Sequence, residues 1–382
     1  MKVYLDNSAT TKVYPEVAEI MMKVLLEDYG NPSSLHMKGV EAERYIKNSL
    51  RSLSGILKCR DDEIYFTSCG TESNNMAIIG TALAKRRKGK HIIVSSIEHA
   101  SILETAHFLE KEGYDITFLV PDDRGIVSPE KVSEALREDT ILVSVMMVNN
   151  ELGSINPVKE IAAAVKNYDK DIIVHTDATQ AFGKMEVSVL KLGVDLLTVS
   201  AHKIHGPKGI AALYVKKGTL LRPVIYGGGQ QRGMRSGTEN VPGIAGFGMA
   251  ADLTYRKLSD NVKKMEALKG RLIKGLTLNE NVTDNSGDAP HIASISFRGV
   301  RSEVMLHALE DRGIYVSSGS ACSTNKPSKK GSKVLRDIGL SEADIESTIR
   351  FSLSEENTEE EVDYVIKTVS ELLPMLRHYT RG

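Results

Sequence analysis

Lys203 lies in the run Ser200-Ala201-His202-Lys203-Ile204-His205-Gly206-Pro207, directly after an apolar stretch, Val194 to Val199. That stretch reads as a buried strand. A lysine held just past a strand end can be kept neutral, and a neutral amine condenses with an aldehyde. On its own the run is more simply a solvated lysine in a turn, so the reading depends on what stands at the other strand ends. Thr67-Ser68-Cys69-Gly70-Thr71-Glu72 opens a helix after a strand. Small and hydroxyl residues at a helix N-terminus suit a phosphate, because free N–H groups and the helix dipole point at it; an ordinary N-cap explains them equally well. Glu98-His99 and Asn149-Asn150-Glu151 each follow a strand. Asp177-Ala178-Thr179-Gln180 follows the apolar run at 172–174, and an acid at a buried strand end needs a cationic or donor partner.

Ligands of parallel α/β sheets gather beyond the carboxyl ends of the strands. Those ends here offer a phosphate site, a flat His99, Asn150, the carboxylate of Asp177, Gln180 and the amine of Lys203. Pyridoxal 5'-phosphate (PLP) needs such a set: donors for its phosphate, a stacking face, a carboxylate that keeps its ring nitrogen protonated, and a lysine for its aldehyde. Rival cofactor motifs fail. Gly227-Gly228-Gly229-Gln230-Gln231-Arg232-Gly233 has Arg232 where a dinucleotide fingerprint needs its third glycine, and there is no P-loop and no HExxH. His202 and His205 have no nearby Cys or acid pair to complete a metal set.

The elements that must position these residues alternate along the chain. Pro15 opens a helix that Gly30 closes, and apolar positions repeat at helical spacing through 40–57. Strands at 63–67, 91–95, 116–120, 141–148 and 172–176 alternate with helices at 72–85, 100–111, 129–137 and 157–167, and strands 194–199 and 210–215 finish the sheet. Nearly continuous apolar strands in a βαβα rhythm predict a mainly parallel sheet covered by helices on both faces. A long helical stretch, 240–277, bridges to an α+β pattern. The expected division is a large α/β domain at 15–258 and a small α+β domain formed by 1–14 with 259–382.

Composition bounds the function. The 382 residues carry a formal net charge of −1, which points to neither nucleic acid nor a membrane surface as the main partner. Cys59, Cys69 and Cys322 are too few and too scattered for a disulfide framework or a zinc site. No signal-peptide core or bilayer-length apolar run is present. The expectation is a soluble, cytoplasmic protein.

Taken together, the motifs resemble those of the cysteine desulfurases, within the class V aminotransferase group of fold-type I PLP enzymes. The matching stretches are Tyr4-Leu5-Asp6-Asn7-Ser8-Ala9-Thr10-Thr11, Gly30-Asn31-Pro32-Ser33-Ser34 with His36, and Thr67 to Asn75. They continue with Glu98-His99, Asn149 to Gly153, His175 to Gln180, Ser200 to Lys203, Arg235-Ser236-Gly237-Thr238, Ser317 to Cys322 and Ile349 to Leu353. They run in the family's order over almost the whole chain. The resemblance implies the following roles. Lys203 forms the Schiff base with PLP, Asp177 pairs with the ring nitrogen, and His99 stacks on the ring and serves in proton transfer. Gln180 and Asn150 neighbour the ring hydroxyl and the substrate. Gly70, Thr71, Ser200 and His202 hold the phosphate. Thr238 reaches the phosphate of the neighbouring subunit, which implies a homodimer with shared sites. Arg350 clamps the substrate carboxylate, and Cys322 is the nucleophile that accepts sulfur.

The implied reaction converts L-cysteine to L-alanine and leaves a persulfide on Cys322. An acceptor protein then takes the sulfur, in iron–sulfur cluster assembly or in thio-cofactor or tRNA biosynthesis. The segment from Ser320 to about Lys333, with Lys326, Lys329, Lys330 and Lys333, reads as a tether for Cys322 because it has almost no apolar anchor. Cys69 reads as a small packed residue beside the phosphate loop. Three alternatives stay open: a selenocysteine lyase, a class V aminotransferase, and a catalytically silent sulfur-delivery scaffold, the last disfavoured by the presence of both Lys203 and Cys322.

Overall fold

The computed structural model describes residues 1–318 and 331–379. Cys322 and most of its expected tether lie outside the described residues. The larger sheet has seven strands, in the order Ile64–Thr67, Ala211–Val215, Leu196–Ser200, Ile173–Asp177, Thr140–Ser144, His91–Ser95 and Asp115–Leu119. Ala211–Val215 runs antiparallel to both its neighbours, and every other pairing is parallel.

Successive residues of these strands enter opposite cores. Ile93, Leu197, Val199, Ala212 and Tyr214 join one apolar cluster with Val17, Ile161, Val165 and Phe247. Ile92, Val94, Leu196, Leu213 and Val215 join a second, with Met76, Ile78, Ile102 and Ala106. Helices cover both faces, so the strands are mostly apolar, with buried polar residues such as His175, Thr176 and Thr198 among them. The α/β expectation holds.

A second sheet, fully antiparallel, has the order Ser317–Ser318, Thr348–Ser352, Ile292–Phe297, Val282–Asp284. Its core is built from Leu268, Leu272, Ile295, Phe297, Met305, Phe351, Val365 and Val369. The N-terminus belongs there too. Val3–Tyr4 pairs in parallel with Ile314–Tyr315, and Val3 and Leu5 are fully buried in that core.

Several element boundaries differ from expectation. The stretch expected as one helix over 240–277 is two, Val241–Arg256 and Leu258–Leu276, because Lys257 takes a non-helical conformation (φ −119°, ψ 18°). The halves serve different cores: Phe247, Ala250 and Ala251 enter the larger one, and Leu268, Leu272 and Leu276 the smaller. The first helix ends at Leu26, where Lys23 O accepts the N–H groups of both Glu27 and Asp28, well before Gly30. The strand expected to run to Val148 stops at Ser144, although Val145 to Val148 stay buried. Lys333 is also not tether. It opens the short helix Lys333–Asp337, and its Nζ donates to Ser96 O at 3.0 Å and pairs with Asp337.

Candidate active site

Strand ends of the larger sheet bring the expected residues to one edge. Strand Leu196–Ser200 runs into a single 3-10 turn, Ala201–Lys203. Lys203 Nζ donates to Ala9 O at 2.7 Å and to Ser8 O. The segment after the N-terminal strand thus folds over the lysine. It is fixed there by Thr11, whose N–H and hydroxyl both donate to His202 O at 2.9 and 3.0 Å. Both partners are carbonyl oxygens, which only accept, so the Lys203 amine is the donor in each contact. His202 Nδ1 lies 3.3 Å from Thr10 Oγ1. Burial, with Lys203 and Lys208 nearby, lowers its pKa to about 4, so its imidazole is neutral at pH 7.

Helix Gly70–Lys85 starts with Cys69 at its N-cap and no side-chain cap, which leaves its first N–H groups for another acceptor. A Cβ placed on Gly70 would come within 3.5 Å of Thr179 Oγ1, 3.8 Å of Thr198 Cγ2 and 4.0 Å of Ser200 Cβ. Three strand ends therefore converge on this helix N-terminus. Ser200 Oγ and Thr179 Oγ1 are buried there with no hydrogen-bond partner among the described residues. Buried hydroxyls without partners beside free helix N–H groups are a donor set that fits a phosphate. Thr71 is exposed at the same turn.

Asp177 ends its strand, 6% exposed. Asn74 Nδ2 donates to Asp177 Oδ2 at 2.8 Å, and Thr179 N to Oδ1 at 2.9 Å. Asn74 Nδ2 also reaches Ser101 Oγ at 2.9 Å, and Ser101 meets His99 Nδ1 through both its N–H (3.1 Å) and its hydroxyl (2.8 Å). Because a backbone N–H can only donate, His99 Nδ1 is the acceptor and Nε2 carries the hydrogen. One face of His99 is open to solvent. Desolvation by the surrounding protein still lowers its pKa, assisted by Lys203 and opposed by Asp177. Asn74 and Ser101, which tie Asp177 to His99, had no expected role. Asn74 stood in a recognised motif, but its type alone does not say what it holds.

Gln180 is buried, and its Nε2 donates to Ser8 O at 3.0 Å. Asn150 contributes its backbone: Arg350 Nη1 donates to Asn150 O at 3.0 Å. Arg350 Nη2 pairs with Asp6 Oδ1 at 2.7 Å, and its Nε is buried without a partner among the described residues. Asp6 is a third residue that sequence reasoning left without a role.

Both flanks of residues 319–330 are anchored beside this site. Ser317 pairs with Arg350 across the small sheet, and Ser332 Oγ donates to Glu151. Thr238 is the outlier. It is exposed, on the loop before helix Val241–Arg256, in a cavity lined also by Ser68, Gly209 and Ile210. That loop is tied to the phosphate-type turn by Arg235, whose Nε donates to Glu72 Oε1 at 2.6 Å. Cys69 is exposed, not packed, so that expectation is corrected: the residue stands at the open mouth of the turn.

Comparison with known proteins gives the family. The family model for class-V aminotransferases matches residues 3–365, and the chain belongs to that family. It is 43% identical over 379 residues to a protein of Methanosarcina thermophila named cysteine desulfurase IscS, covering 98% of this chain and 93% of the relative. A protein of the same name from Clostridium botulinum is 42% identical over 382 residues, covering 98% and 95%. Among solved structures, a NifS-like protein superposes with a TM-score of 0.93 at 39% identity, covering 98% of this chain and all of that one. SspA in complex with cysteine superposes with a TM-score of 0.82 at 35% identity, covering 94% and 100%.

Proposed function

We propose that this chain is a PLP-dependent cysteine desulfurase that converts L-cysteine to L-alanine and passes sulfur, through a persulfide on Cys322, to an acceptor protein of iron–sulfur cluster or related biosynthesis. The observation that carries the reading is the convergence of Lys203, Asp177, His99 and the Gly70–Ser200 turn at one sheet edge, with Arg350 opposite them. The curated relatives' shared name supports it.

PLP would be held by the free N–H groups at Gly70 and Thr71 and by Ser200 and His202 at its phosphate, with Asp177 at its ring nitrogen, His99 against its ring face, and Gln180 and Asn150 near its ring hydroxyl. When bound, it supplies an electron-withdrawing ring that takes up the charge left at the substrate Cα. Lys203 would hold the cofactor through its amine and would serve as the base for the substrate Cα proton. Asp177 keeps the ring nitrogen protonated. Arg350 holds the substrate carboxylate through a planar fork that lysine cannot copy. The Cys322 thiolate attacks the substrate sulfur. An S–S bond forms, the C–S bond breaks, and its electron pair stays with the carbon skeleton that leaves as alanine. His99, with Nδ1 held by Ser101, has its Nε2–H free for proton transfer.

The same reading places residues 15–258 in a large cofactor-binding unit and 1–14 with 259–382 in a small unit. It makes the protein a cytoplasmic homodimer in which Thr238 serves the neighbouring phosphate. No helix among the described residues is long and apolar enough to cross a membrane.

The test is cysteine-dependent release of alanine and sulfide by PLP-loaded protein, in parallel with Cys322→Ala. Loss of sulfide release in the variant, with PLP still bound, is expected. Near-normal release would refute the nucleophile, amino-group transfer to an oxo acid would indicate an aminotransferase, and turnover of selenocysteine alone a selenocysteine lyase.

A further inference from the structure

We propose that His291 is a positioning residue that fixes the side-chain amide of Gln180, and through it the presentation of an N–H donor to the cofactor ring; this rests on the cofactor reading given above. His291 immediately precedes strand Ile292–Phe297 of the small sheet. It is 1% exposed, and its carbonyl is fixed by Leu353 N at 2.8 Å. Its Nε2 lies 3.3 Å from Gln180 Oε1, while its Nδ1 is buried without a partner among the described residues.

The hydrogen positions follow from a single fixed acceptor. Ser8 O can only accept, so the group facing it at 3.0 Å must be the amide nitrogen of Gln180. The amide oxygen then faces His291, and His291 must offer Nε2–H. Turning the amide over would set two oxygens against each other at Ser8 and two donors at His291. Each partner therefore dictates the state of the other. Ser8 O also accepts from Lys203 Nζ, so the chain His291, Gln180, Ser8, Lys203 runs from the small sheet to the reactive amine.

The surroundings keep His291 a neutral donor. Burial lowers its pKa well below the usual histidine value, and Lys184, Lys269, Arg350 and Lys203 push the same way. An imidazolium there would face four cations without an acid partner. Arg350 pairs with Ser294 of the strand that follows His291, so the proposed carboxylate clamp and the residue that orients Gln180 sit on neighbouring strands of the small sheet.

The test is a double-mutant cycle on the full chain, stripped of PLP and titrated back with it. The readouts are the PLP dissociation constant and the pH midpoint of the visible band. His291→Leu removes the donor and should weaken PLP binding roughly fivefold to tenfold, the effect of one hydrogen bond at a buried site. His291→Gln, whose amide nitrogen reaches about as far as Nε2, should restore affinity to within about twofold. Gln180→Leu should weaken binding by itself, and His291→Leu added to it should change the constant less than about twofold, because the partner it acts through is gone. Additive effects, or a His291→Gln variant as impaired as His291→Leu, would overturn the positioning role and leave the cofactor reading intact. A Gln180→Leu variant with wild-type affinity and spectrum would instead refute the assignment of Gln180 to the cofactor, and the proposal with it. Should His291→Leu not fold, ¹⁵N-histidine spectra of the wild type decide: a neutral Nε2–H ring supports the proposal, and an Nδ1–H or charged ring overturns it.

Discussion

Ser200→Ala separates a cofactor-binding hydroxyl from a structural one by the sign of two effects. Ser200 is 1% exposed, and its Oγ has no hydrogen-bond partner among the described residues. A hydroxyl that braces the fold would have one, and removing it would destabilise the protein. Here deletion of the oxygen removes a desolvated polar atom and costs the fold no bond. The apoprotein should be unchanged or gain up to about 1 kcal/mol, the low end of the penalty for an unsatisfied buried group. With PLP present the sign reverses. The same hydroxyl would donate to a dianionic phosphate, and a charge-assisted bond contributes about 1.5–3 kcal/mol. At about 1.4 kcal/mol per decade, PLP affinity should fall roughly tenfold to hundredfold. Denaturant unfolding of apo wild type and variant, alongside PLP titration, measures both. The two effects combine with opposite signs in one number, because ligand stabilisation scales with affinity: at a fixed PLP concentration the holo variant should lose the free energy of its weakened binding less whatever the apoprotein gained. An apo variant less stable by more than 1 kcal/mol would show that Ser200 serves the fold. Unchanged PLP affinity would show that the Gly70–Thr179–Ser200 convergence does not hold a phosphate.

Three further perturbations test separate parts of the argument. Lys203→Ala should abolish turnover and the visible band of the bound cofactor while PLP stays bound through its phosphate donors; a variant that kept both rate and band would refute the central assignment. Arg350→Lys should raise KM for cysteine by about tenfold to hundredfold with a smaller effect on kcat, because a point charge cannot reproduce the paired fork; a KM within twofold of wild type would remove the clamp. Glu355 is 11% exposed and meets buried Lys184 at 3.6 Å, His205 Nε2 at 3.4 Å and the hydroxyl of Tyr14, and despite burial these partners hold its pKa well below the usual carboxylate value. Glu355→Gln should therefore cost about 3 kcal/mol at pH 7 by unfolding. A depressed carboxylate stabilises above its unfolded pKa, so the difference from wild type should shrink as pH falls below about 4.3, and a gap that stayed constant to pH 3 would refute the pairing.

The larger sheet was legible because its inner strands are buried on both faces, which leaves mostly apolar residues to read, and because Asp177, Lys203 and Ser200 stand where such strands must end. The helix break at Lys257 was not legible. Both halves carry helical periodicity, no glycine or proline marks the junction, and the change is in which core each half serves. The strand overrun past Ser144 has a similar cause, since Val145 to Val148 are as buried as the strand itself. In the candidate site, the side chains proposed for chemistry could be read from residue type and spacing, and those that hold them could not. Asn74 and Ser101 act through hydrogen bonds between elements far apart in sequence, and the acceptors of Lys203 are the backbone carbonyls of Ser8 and Ala9, which leave no trace in residue type.

Those carbonyls explain why the first residues of the chain belong to the site at all. Val3–Tyr4 adds a strand beside Ile314–Tyr315, and Leu5 is buried in the small core. Asn7 Nδ2 then donates to Ser352 O at 3.0 Å, two residues beyond Arg350, and Asp6 pairs with Arg350 itself. Four residues after Asn7, Thr11 is fixed to His202, and in between Ser8 O has met both Gln180 and Lys203. A stretch of six residues, Asp6 to Thr11, thus contacts the guanidinium that would hold the substrate and the amine that would take its Cα proton, and these two groups are anchored to different sheets. On the proposed reading, a substrate carboxylate that competed with Asp6 for the Arg350 guanidinium would act on one end of this stretch, and the carbonyls that receive Lys203 lie at its other end.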